Sequence, residues 1–597
     1  MNFGRLAAQP SRIKRLGEPF QIALLGDFSG RANLGTLQKG AALAARKALS
    51  VDIDNFEAEF RRLGLRLRLP IGAEGGMVEL KFESMDDFHP DQLFNNLVVF
   101  SELAELRRRL KNNSTFAAAF AEIQSWPNLS LPDTTVRSQP RGSAIPPGKL
   151  SDFARLIGQS TISTTRETSI DELIRQVVAP HITTATHPDQ EASIGAVDEA
   201  ISSTMRRILH HPDFQAMESL WRSVEFLIRE LETGSQLRIS LYDITAEEVA
   251  ADLSASDALE ESGLYQLLVE QPLTDQRFVP FLAVIGNYIF DEIPPHAELL
   301  GRVGKIAAAA QAPFIAGIST ECLVKRDLAE LDQLVSTSWD ALRDTPQAGY
   351  LGLTVPRFML RWPYGAKTEP IESFRFEEFT PSAGLKSLLW ANGSILAGLL
   401  LGKSFAEEGL AGMQLGSVMT VGDIPFYYYT DTDGDQIALP STERWVSEAT
   451  AVHVISQNFM PVLCIRGRPE VRLGSFVSLS GSELAGPWAP LEFQPDEVGQ
   501  SAAVDLVSPL SATEELSIEA IEAREAAEAE NELDALLASV SMESHSGAST
   551  ESDGATAGST EEYLDALLAG LATKETEQAS AHASDIDPEL AALLADL

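Results

Sequence analysis

Cysteine is scarce in this sequence of 597 residues, which holds Cys322 and Cys464 and no others. Two widely separated thiols in a large chain exclude a disulfide scaffold and a cysteine-rich zinc or iron–sulfur module. The scarcity fits a reducing compartment, so we expect a cytoplasmic location. With 44% hydrophobic residues the chain can still build sizeable cores, and its length suggests about three to five domains.

Long apolar runs are also missing. The longest lie around residues 278–290, 306–318 and 395–401, and none approaches the ~18 continuous apolar residues of a membrane span. Residues 1–15 are polar and basic and lack the apolar core of a secretory signal. The sequence therefore predicts no membrane insertion and no secretory signal.

Basic residues are few relative to acidic ones. The chain has 46 Lys and Arg against 86 Asp and Glu, a net charge of −40. Residues 501–597 hold 22 acidic residues and two basic ones, and so carry half of that net charge. Counterion release cannot favour nucleic acid for so acidic a chain, which argues against a nucleic-acid binder.

Composition divides the chain into five ranges. Residues 1–17 are expected to be a flexible N-terminus, 18–125 a first folded unit, 126–165 a Pro/Ser-rich linker and 166–490 a second folded unit. Residues 491–597 are acidic, rich in Ala and Ser and poor in aromatic residues. This composition predicts a disordered acidic C-terminal tail.

Alternating strand and helix patterns predict a mixed α/β (α+β) fold. In the first unit we expect a buried strand at Gln21–Leu25, a short helix with Asp54 as its N-cap, and one long helix from Pro90 with an apolar stripe from Leu93 to Leu110. In the second unit, helices alternate with five expected strands: Leu237–Tyr242, Val279–Ile285, Pro313–Gly317, Tyr350–Val355 and Val462–Ile465.

Two loop-like motifs each lack a necessary residue. Residues 398–404 resemble a phosphate-binding loop, but Ala397 stands where the opening Gly belongs, and the surroundings predict a packed apolar helix. Residues 431–435 have the Asp spacing of a calcium loop, with Gln436 in place of Gly and Thr442 in place of Glu. We expect a buried helix and a solvated turn.

No pattern selects a catalytic residue. His210 and His211 precede Pro212, and neighbours on a helix point about 100° apart, which favours a helix-terminal pair over a metal site. A serine elbow, HExxH and CxxC are all absent from the sequence. We therefore expect no enzyme activity and no catalytic, cofactor-binding or metal-binding residues.

The acidic tail repeats a leucine-rich pattern in three copies, which begin at residues 532, 563 and 589. A short helix through each copy places its leucines on one face. Such helices suit docking into the grooves of a multimeric partner of unknown identity, although a tail that only solubilises is the alternative. The candidate contacts are Leu533, Leu536, Leu537, Leu564, Leu567, Leu568, Leu590, Leu593 and Leu594.

Two blocks of the chain resemble the contractile sheath subunits of type VI secretion systems. Residues 18–125 are similar to the small subunit (TssB or VipA), on the runs Ile22–Arg31, Val51–Phe56 and Phe82–Pro90. Residues from about 168 to 480 are similar to the large subunit (TssC or VipB). The runs that carry this second likeness are Ile208–Arg222, Ile306–Ala316, Gly352–Phe358, Arg361–Gly365 and Leu389–Gly393.

The resemblance implies a natural fusion of small and large sheath subunits, folded as one protomer of two intertwined parts. In that family the protomers stack as rings around an inner tube and act by assembly and rearrangement, not by catalysis. The implied partners are other sheath or secretion-apparatus subunits, with the inner-tube protein, the baseplate and a hexameric ATPase unfoldase as further candidates.

Two departures leave an alternative open. The large-subunit likeness fades after about Ser480, so the usual C-terminal portion, with its linking strand, is replaced by the acidic tail. The small-subunit likeness also ends early, with a weak match over Ala117–Trp126. The alternative function is a sheath-derived soluble adaptor or assembly factor that recruits a multimeric partner through the tail motifs.

The helix predicted at residues 169–178 resembles the segment that an unfoldase grips in some family members. Its apolar face is Ile170, Leu173, Ile174 and Val177. A helix that merely packs on the body is the alternative for this segment.

Overall fold

The computed structural model describes residues 1–6, 19–71, 76–125, 139–149, 170–178, 181, 190–274, 278–323, 333–431, 434–465 and 467–488. The strands are β1 Phe20–Gly26, β2 Leu49–Val51, β3 Arg66–Pro70, β4 Met77–Lys81, β5 Leu237–Asp243, β6 Phe281–Phe290, β7 Phe314–Ile318, β8 Leu351–Val355, β9 Phe358–Met359, β10 Trp390–Ala391, β11 Thr420–Val421, β12 Tyr428–Thr430, β13 Gln436–Ala438, β14 Met460–Cys464 and β15 Val471–Leu473.

The helices alternate with these strands, as the mixed α/β prediction requires. They are α1 Arg31–Leu34, α2 Ala41–Ala44, α3 Phe56–Leu63, α4 Pro90–Asn96, α5 Val98–Lys111, α6 Phe116–Gln124, α7 Ile170–Val178, α8 Gln190–Leu209, α9 Pro212–Glu230, α10 Ala246–Leu253, α11 Gly263–Tyr265, α12 Gln271–Thr274, α13 Pro294–Ala310, α14 Gln333–Arg343, α15 Gly393–Gly412 and α16 Glu448–Ser456.

A nine-stranded mixed sheet organises the described residues, in the order β11-β15-β14-β8-β7-β6-β1-β5-β2. The central strands β8, β7, β6, β1 and β5 run parallel. All seven residues of β1 are buried, which fits a parallel strand covered on both faces. The five strands predicted in the second unit are all present, with ends that differ by no more than five residues.

The central sheet joins the two predicted units. Strand β1, from the first unit, lies between β5 and β6 of the second, and Leu24 is the register partner of both Leu241 and Ile285. Strand β2 of the first unit forms an edge of the same sheet, against β5. The fold is therefore intertwined, because the sheet cannot be completed by either unit alone.

Two details of the first unit differ from the sequence expectations. Asn55, not Asp54, occupies the N-cap position of α3, because the Asp52 carboxylate accepts the backbone N–H groups of Asp54 and Asn55. The long helix expected from Pro90 is two helices, because Leu97 adopts an extended backbone conformation between α4 and α5. The apolar stripe is nevertheless buried along both helices.

Candidate functional site

The candidate functional site is the contact surface between residues 19–125 and residues 190–488, here called the segment interface. Its centre is a cluster of aromatic rings around Trp221 of α9, which is fully buried. The Trp221 ring lies 4.5 Å from the Phe60 ring and 5.4 Å from the Phe28 ring, both from the first unit. Its indole N–H donates to the Phe28 carbonyl at 3.1 Å. Aromatic anchors of this kind carry much of the energy of protein interfaces.

A second aromatic contact extends the same surface. Phe214 of α9 lies 5.6 Å from Phe88 and 6.1 Å from Phe82, ring centre to ring centre. Phe88 and Phe214 are fully buried, and Phe82 nearly so. Both sides of this contact come from the runs that resemble the two sheath subunits, so those runs meet in space.

Helices α5 and α8 pack against each other at the edge of the segment interface. Arg107 of α5 donates to both carboxylate oxygens of Asp198 on α8. Both side chains are more than two-fifths exposed, so this ion pair contributes orientation more than stability.

Buried carboxylates lie at the carboxyl ends of β1 and β5. Asp27, just after β1, accepts the backbone N–H groups of Arg31 and Ala32 at 2.7 and 3.0 Å. Asp243, at the end of β5, accepts the backbone N–H of Phe28 at 2.9 Å and the Ser29 hydroxyl at 2.7 Å. Burial raises the pKa of Asp27 well above its usual value, and the neighbouring Asp243 raises it further. Burial also raises the pKa of Asp243.

Glu248 of α10 lies in the same region and contacts basic side chains of the first unit. It is fully buried and accepts from Arg46 of the first unit at 2.6 Å and from the backbone N–H of Gln38 at 2.7 Å. Arg31 lies 3.5 Å away from it. A buried charge of this type must be paired, so the loop around Arg46 is tied to α10.

Residues 139–149, here called the strap, cross the carboxyl ends of the central strands. Ile145 is fully buried and donates its backbone N–H to Ile289 of β6 at 3.1 Å, while Ile289 donates back to Ser143 at 2.8 Å. The Gly142 N–H donates to the Glu247 carboxylate, and the Gly142 carbonyl accepts from Ala246 at 2.8 Å. These residues fall inside the range expected to be a linker, yet they are packed into the body of the protein.

The strap is also held by two side chains of the second unit. His296 of α13 is fully buried, with its Nε2 atom 3.1 Å from the Pro146 carbonyl. Asp213 of α9 accepts the backbone N–H of Arg141 at 2.7 Å and the Asn33 amide at 2.9 Å. Asp213 therefore contacts the first unit and the strap at once.

A buried ion-pair network holds the second unit around α9. Arg361 donates to Glu218 at 2.7 and 3.1 Å and to Glu378 at 2.7 and 3.1 Å. Burial opposes ionisation of Glu218, but Arg361 and Arg222 outweigh it and lower its pKa. Burial prevails at Glu378 and raises its pKa, despite Arg361. This network fixes the Arg361–Gly365 run against the helix that carries Trp221.

The segment expected as an unfoldase handle is the helix α7. Leu173, Ile174 and Val177 are buried, whereas Ile170 is 45% exposed. The helix packs against α5 of the first unit and α8 of the second. Three of the four predicted residues are thus buried in a helix that packs on both units.

The phosphate-loop-like run, the calcium-loop-like run and the His210–His211 pair lie in ordinary helix and turn positions. Residues 398–404 lie inside the buried helix α15. Residues 431–435 connect β12 and β13. Of these five residues, 432 and 433 are outside the described part of the chain. His211 is the N-cap of α9, where its Nδ1 accepts from the Asp213 N–H at 3.2 Å. Among the described residues there is no group of His, Cys, Asp and Glu that could hold a metal ion.

The nine candidate leucines of the tail lie outside the described residues. Their docking function stays a prediction from the sequence. Within the described part of the chain, no helix combines the length and apolar character of a membrane span.

Comparison with known protein families matches two separate ranges of the chain, one on each side of the segment interface. Residues 10–124 match the family described as type VI secretion system VipA. Residues 191–480 match the EvpB family described as tail sheath N-terminal domain, also called VipB. The two matched ranges lie on opposite sides of the segment interface, and the strap belongs to neither.

Two curated proteins of Pseudomonas aeruginosa show the same division. The type VI secretion system sheath protein TssC1 is 32% identical over 289 residues, which cover 46% of this chain and 58% of that protein. The sheath protein TssB1 is 31% identical over 108 residues, which cover 17% of this chain and 60% of that protein. The chain thus spans less than two thirds of the length of each relative.

The fold and the segment interface define a protein in which two separately matched segments of one polypeptide complete a single central sheet. A VipA match is followed by a VipB match, and the chain is also similar to one TssB and one TssC sheath protein, so it resembles a fusion of the two type VI secretion sheath subunits. These family names describe structural proteins and not enzymes.

Proposed function

We propose that the chain is a structural component of a type VI secretion apparatus, a fused sheath-type protomer that acts by assembly and conformational change. The observation that carries this proposal is the insertion of β1 between β5 and β6, since it makes one building block from the two family segments. The names of the relatives, which are sheath proteins, support the same function.

Fusion has a physical advantage for such a protomer. It fixes a one-to-one ratio of the two segments and makes their pairing an intramolecular event at high effective concentration. The residues buried around Trp221 would otherwise be exposed on two separate chains until they met. We place this protomer in the cytoplasm, with other sheath subunits, the inner-tube protein and the baseplate as its proposed partners.

We further propose that α7 is the handle for a hexameric ATPase unfoldase. Its position at the start of the second unit and the exposed Ile170 side chain support this assignment. The burial of Leu173, Ile174 and Val177 supports the alternative, a helix that only packs. A handle of this kind has to leave its contacts with α5 and α8 before it is pulled.

Electron microscopy of the purified full chain tests the proposed function. We expect rods or rings in negative stain, formed by the chain alone or with the inner-tube protein of its own system. Adding the cognate unfoldase and ATP should remove the assemblies of the wild type but spare those of an Ile170→Asp variant. A chain that stays dispersed under all of these conditions contradicts the sheath function.

The adaptor function remains a second proposal, carried by the three leucine-rich copies in the acidic tail. The fading of the large-subunit likeness after about Ser480 supports it. A compact chain that forms no polymer and binds a partner through its tail is the result it requires.

A further inference from the structure

A cleft of about 940 Å³ opens beside the segment interface, at the junction of α8 and α9. Its walls come from the strap, the end of β6, and the loops after β8, before β10 and before α16. Five basic side chains and one carboxylate are among its described lining residues: Arg206, Arg207, Arg357, Lys386, Arg444 and Glu443. This surplus of positive charge contrasts with a chain whose net charge is −40.

Two of the five cations already have partners. Arg357 makes two hydrogen bonds to Glu443, at 2.8 and 2.6 Å. Arg206 lies 3.3 Å from Glu199 and donates to the Glu377 carbonyl. Their positive charge is therefore largely satisfied within the chain.

The other three cations have no ion pair within the described part of the chain: Arg207, Lys386 and Arg444. Burial lowers the pKa of Arg207. Burial acts in the same direction at Arg361, but the carboxylates of Glu218 and Glu378 outweigh it there and raise the pKa of Arg361. Lys386 and Arg444 are exposed at the rim. Arg207 is thus a half-buried charge that lacks the carboxylate expected beside it.

The floor of the cleft has a further unsatisfied group. The Nε2 atom of His210 is buried and has no hydrogen-bond partner among the described residues, since the Glu378 carboxylate is 3.9 Å away. Burial, Arg361 and Arg206 lower the pKa of His210 to about 4, so its ring is neutral near pH 7. A neutral imidazole can donate a hydrogen bond to a bound carboxylate.

The size and rim of the cleft favour a peptide over a small anion. Its volume reaches the upper end of the range for ligand sites in proteins, far more than one phosphate fills. Trp445, the neighbour of Arg444 in the chain, is 52% exposed. Exposed Trp and Arg side chains are typical of protein–protein contacts.

We infer that this cleft binds an acidic peptide segment of a second copy of the chain. Charge complementarity supports that source, because every copy carries a net charge of −40 and offers acidic segments to the basic cleft. The basic cleft and the acidic segment are different surfaces, so the contact is heterologous and continues from copy to copy as a ring or a filament. The inference deepens the proposed assembly function and rests on it.

Charge reversal in the cleft tests the inference on the full chain. The variant carries Arg207→Glu, Lys386→Glu and Arg444→Glu, and its control carries Lys47→Glu, Lys111→Glu and Arg238→Glu, three exposed cations outside the cleft lining. Both change the net charge equally. We expect sedimentation velocity to show a self-association constant at least about tenfold weaker for the cleft variant than for the control. Wild-type association should also weaken between about 50 and 500 mM salt.

Three outcomes overturn the inference: equal association of the two variants, wild-type association that strengthens with salt, and a wild type that does not self-associate. Equal unfolding midpoints of the two variants show that a loss of association is not a loss of fold. If the cleft variant forms the same rods or rings as the wild type, the inference fails and the sheath function stands. If the wild type makes only small, salt-sensitive oligomers that the cleft variant lacks, the cleft stands and the sheath function fails.

Discussion

At the scale of single residues, Asp27 gives the protein a dependence on pH. Because burial raises its pKa in the folded state, the folded protein binds more protons than the unfolded chain between the two pKa values. The contribution of Asp27 to stability is therefore fully present below the unfolded pKa and is lost as the pH rises through the folded pKa. Each unit of pKa difference corresponds to about 1.4 kcal/mol.

We predict that the wild type gains stability relative to Asp27→Asn as the pH falls, because only the wild type has the raised pKa of Asp27. The substituted amide keeps one side-chain oxygen for the N–H groups of Arg31 and Ala32 but has no charge to bury. Urea denaturation from about pH 4 to pH 8 measures the free energy of unfolding of each variant. Asp54→Asn, at an exposed carboxyl, is the control and should leave the profile unchanged. Parallel profiles for wild type and Asp27→Asn contradict the prediction. A slope common to both profiles comes from the other groups with shifted pKa values, such as Asp243 and Glu378.

At the scale of elements, the strap depends on one glycine. Gly142 has a φ of +83°, and a Cβ atom placed there would lie 2.5 Å from Asp27 Oδ2. Gly64 has a φ of +61°, with nothing within 4 Å of the corresponding position. Both glycines have a left-handed backbone conformation, but only a Cβ atom at position 142 would meet a neighbouring side chain. Gly64 is therefore a control for the backbone effect alone.

We predict that Gly142→Ala destabilises the protein by about 3 kcal/mol, from backbone strain plus overlap with Asp27. Gly64→Ala should cost only about 1 kcal/mol, from the backbone alone. Chemical denaturation measures both values. Hydrogen exchange at the Ile145 and Ile289 amides should quicken in Gly142→Ala and stay slow in Gly64→Ala. Equal losses in the two variants would show that the strap is not pressed against Asp27.

The elements also show where reading the sequence succeeds. The strands of the second unit are apolar runs bounded by turns, and their pattern is local, so their existence follows from the sequence. The break at Leu97 does not, because the apolar spacing continues unchanged across it. The N-cap at Asn55 is missed for a similar reason: Asp52, Asp54 and Asn55 are all good capping residues, and the residue types alone do not choose among them.

The strap could not have been found from composition. Its Pro and Ser content is that of a linker, and its hydrogen-bond partner Ile289 lies far along the chain. The pairing of Asp27 with Asp243 is hidden in the same way, since each follows an ordinary buried strand. Only the order of strands brings these residues together. The runs that resemble the sheath subunits contain both partners of the Phe28–Trp221 contact and of the Phe88–Phe214 contact, although no such contact was predicted.

At the scale of the whole molecule, the tail motifs carry the remaining prediction. We expect that changing Leu536, Leu567 and Leu593 to Asp together abolishes capture of the tail's partner in a pull-down with the full chain as bait. The control changes Ala535, Ala566 and Ala592 to Asp, which adds the same charge one position away, about 100° around each helix. Loss by the leucine variant alone supports docking, while equal capture by both leaves the tail a solubilising segment.

The position of β1 in the chain delays its pairing during synthesis. Phe20–Gly26 leaves the ribosome early, but its neighbours Leu237–Asp243 and Phe281–Phe290 follow more than 200 residues later. Until they emerge, a largely apolar strand has both edges unpaired, a state prone to aggregation. In a nascent chain of this protein, β1 therefore stays without its two sheet neighbours until residue 290 has emerged.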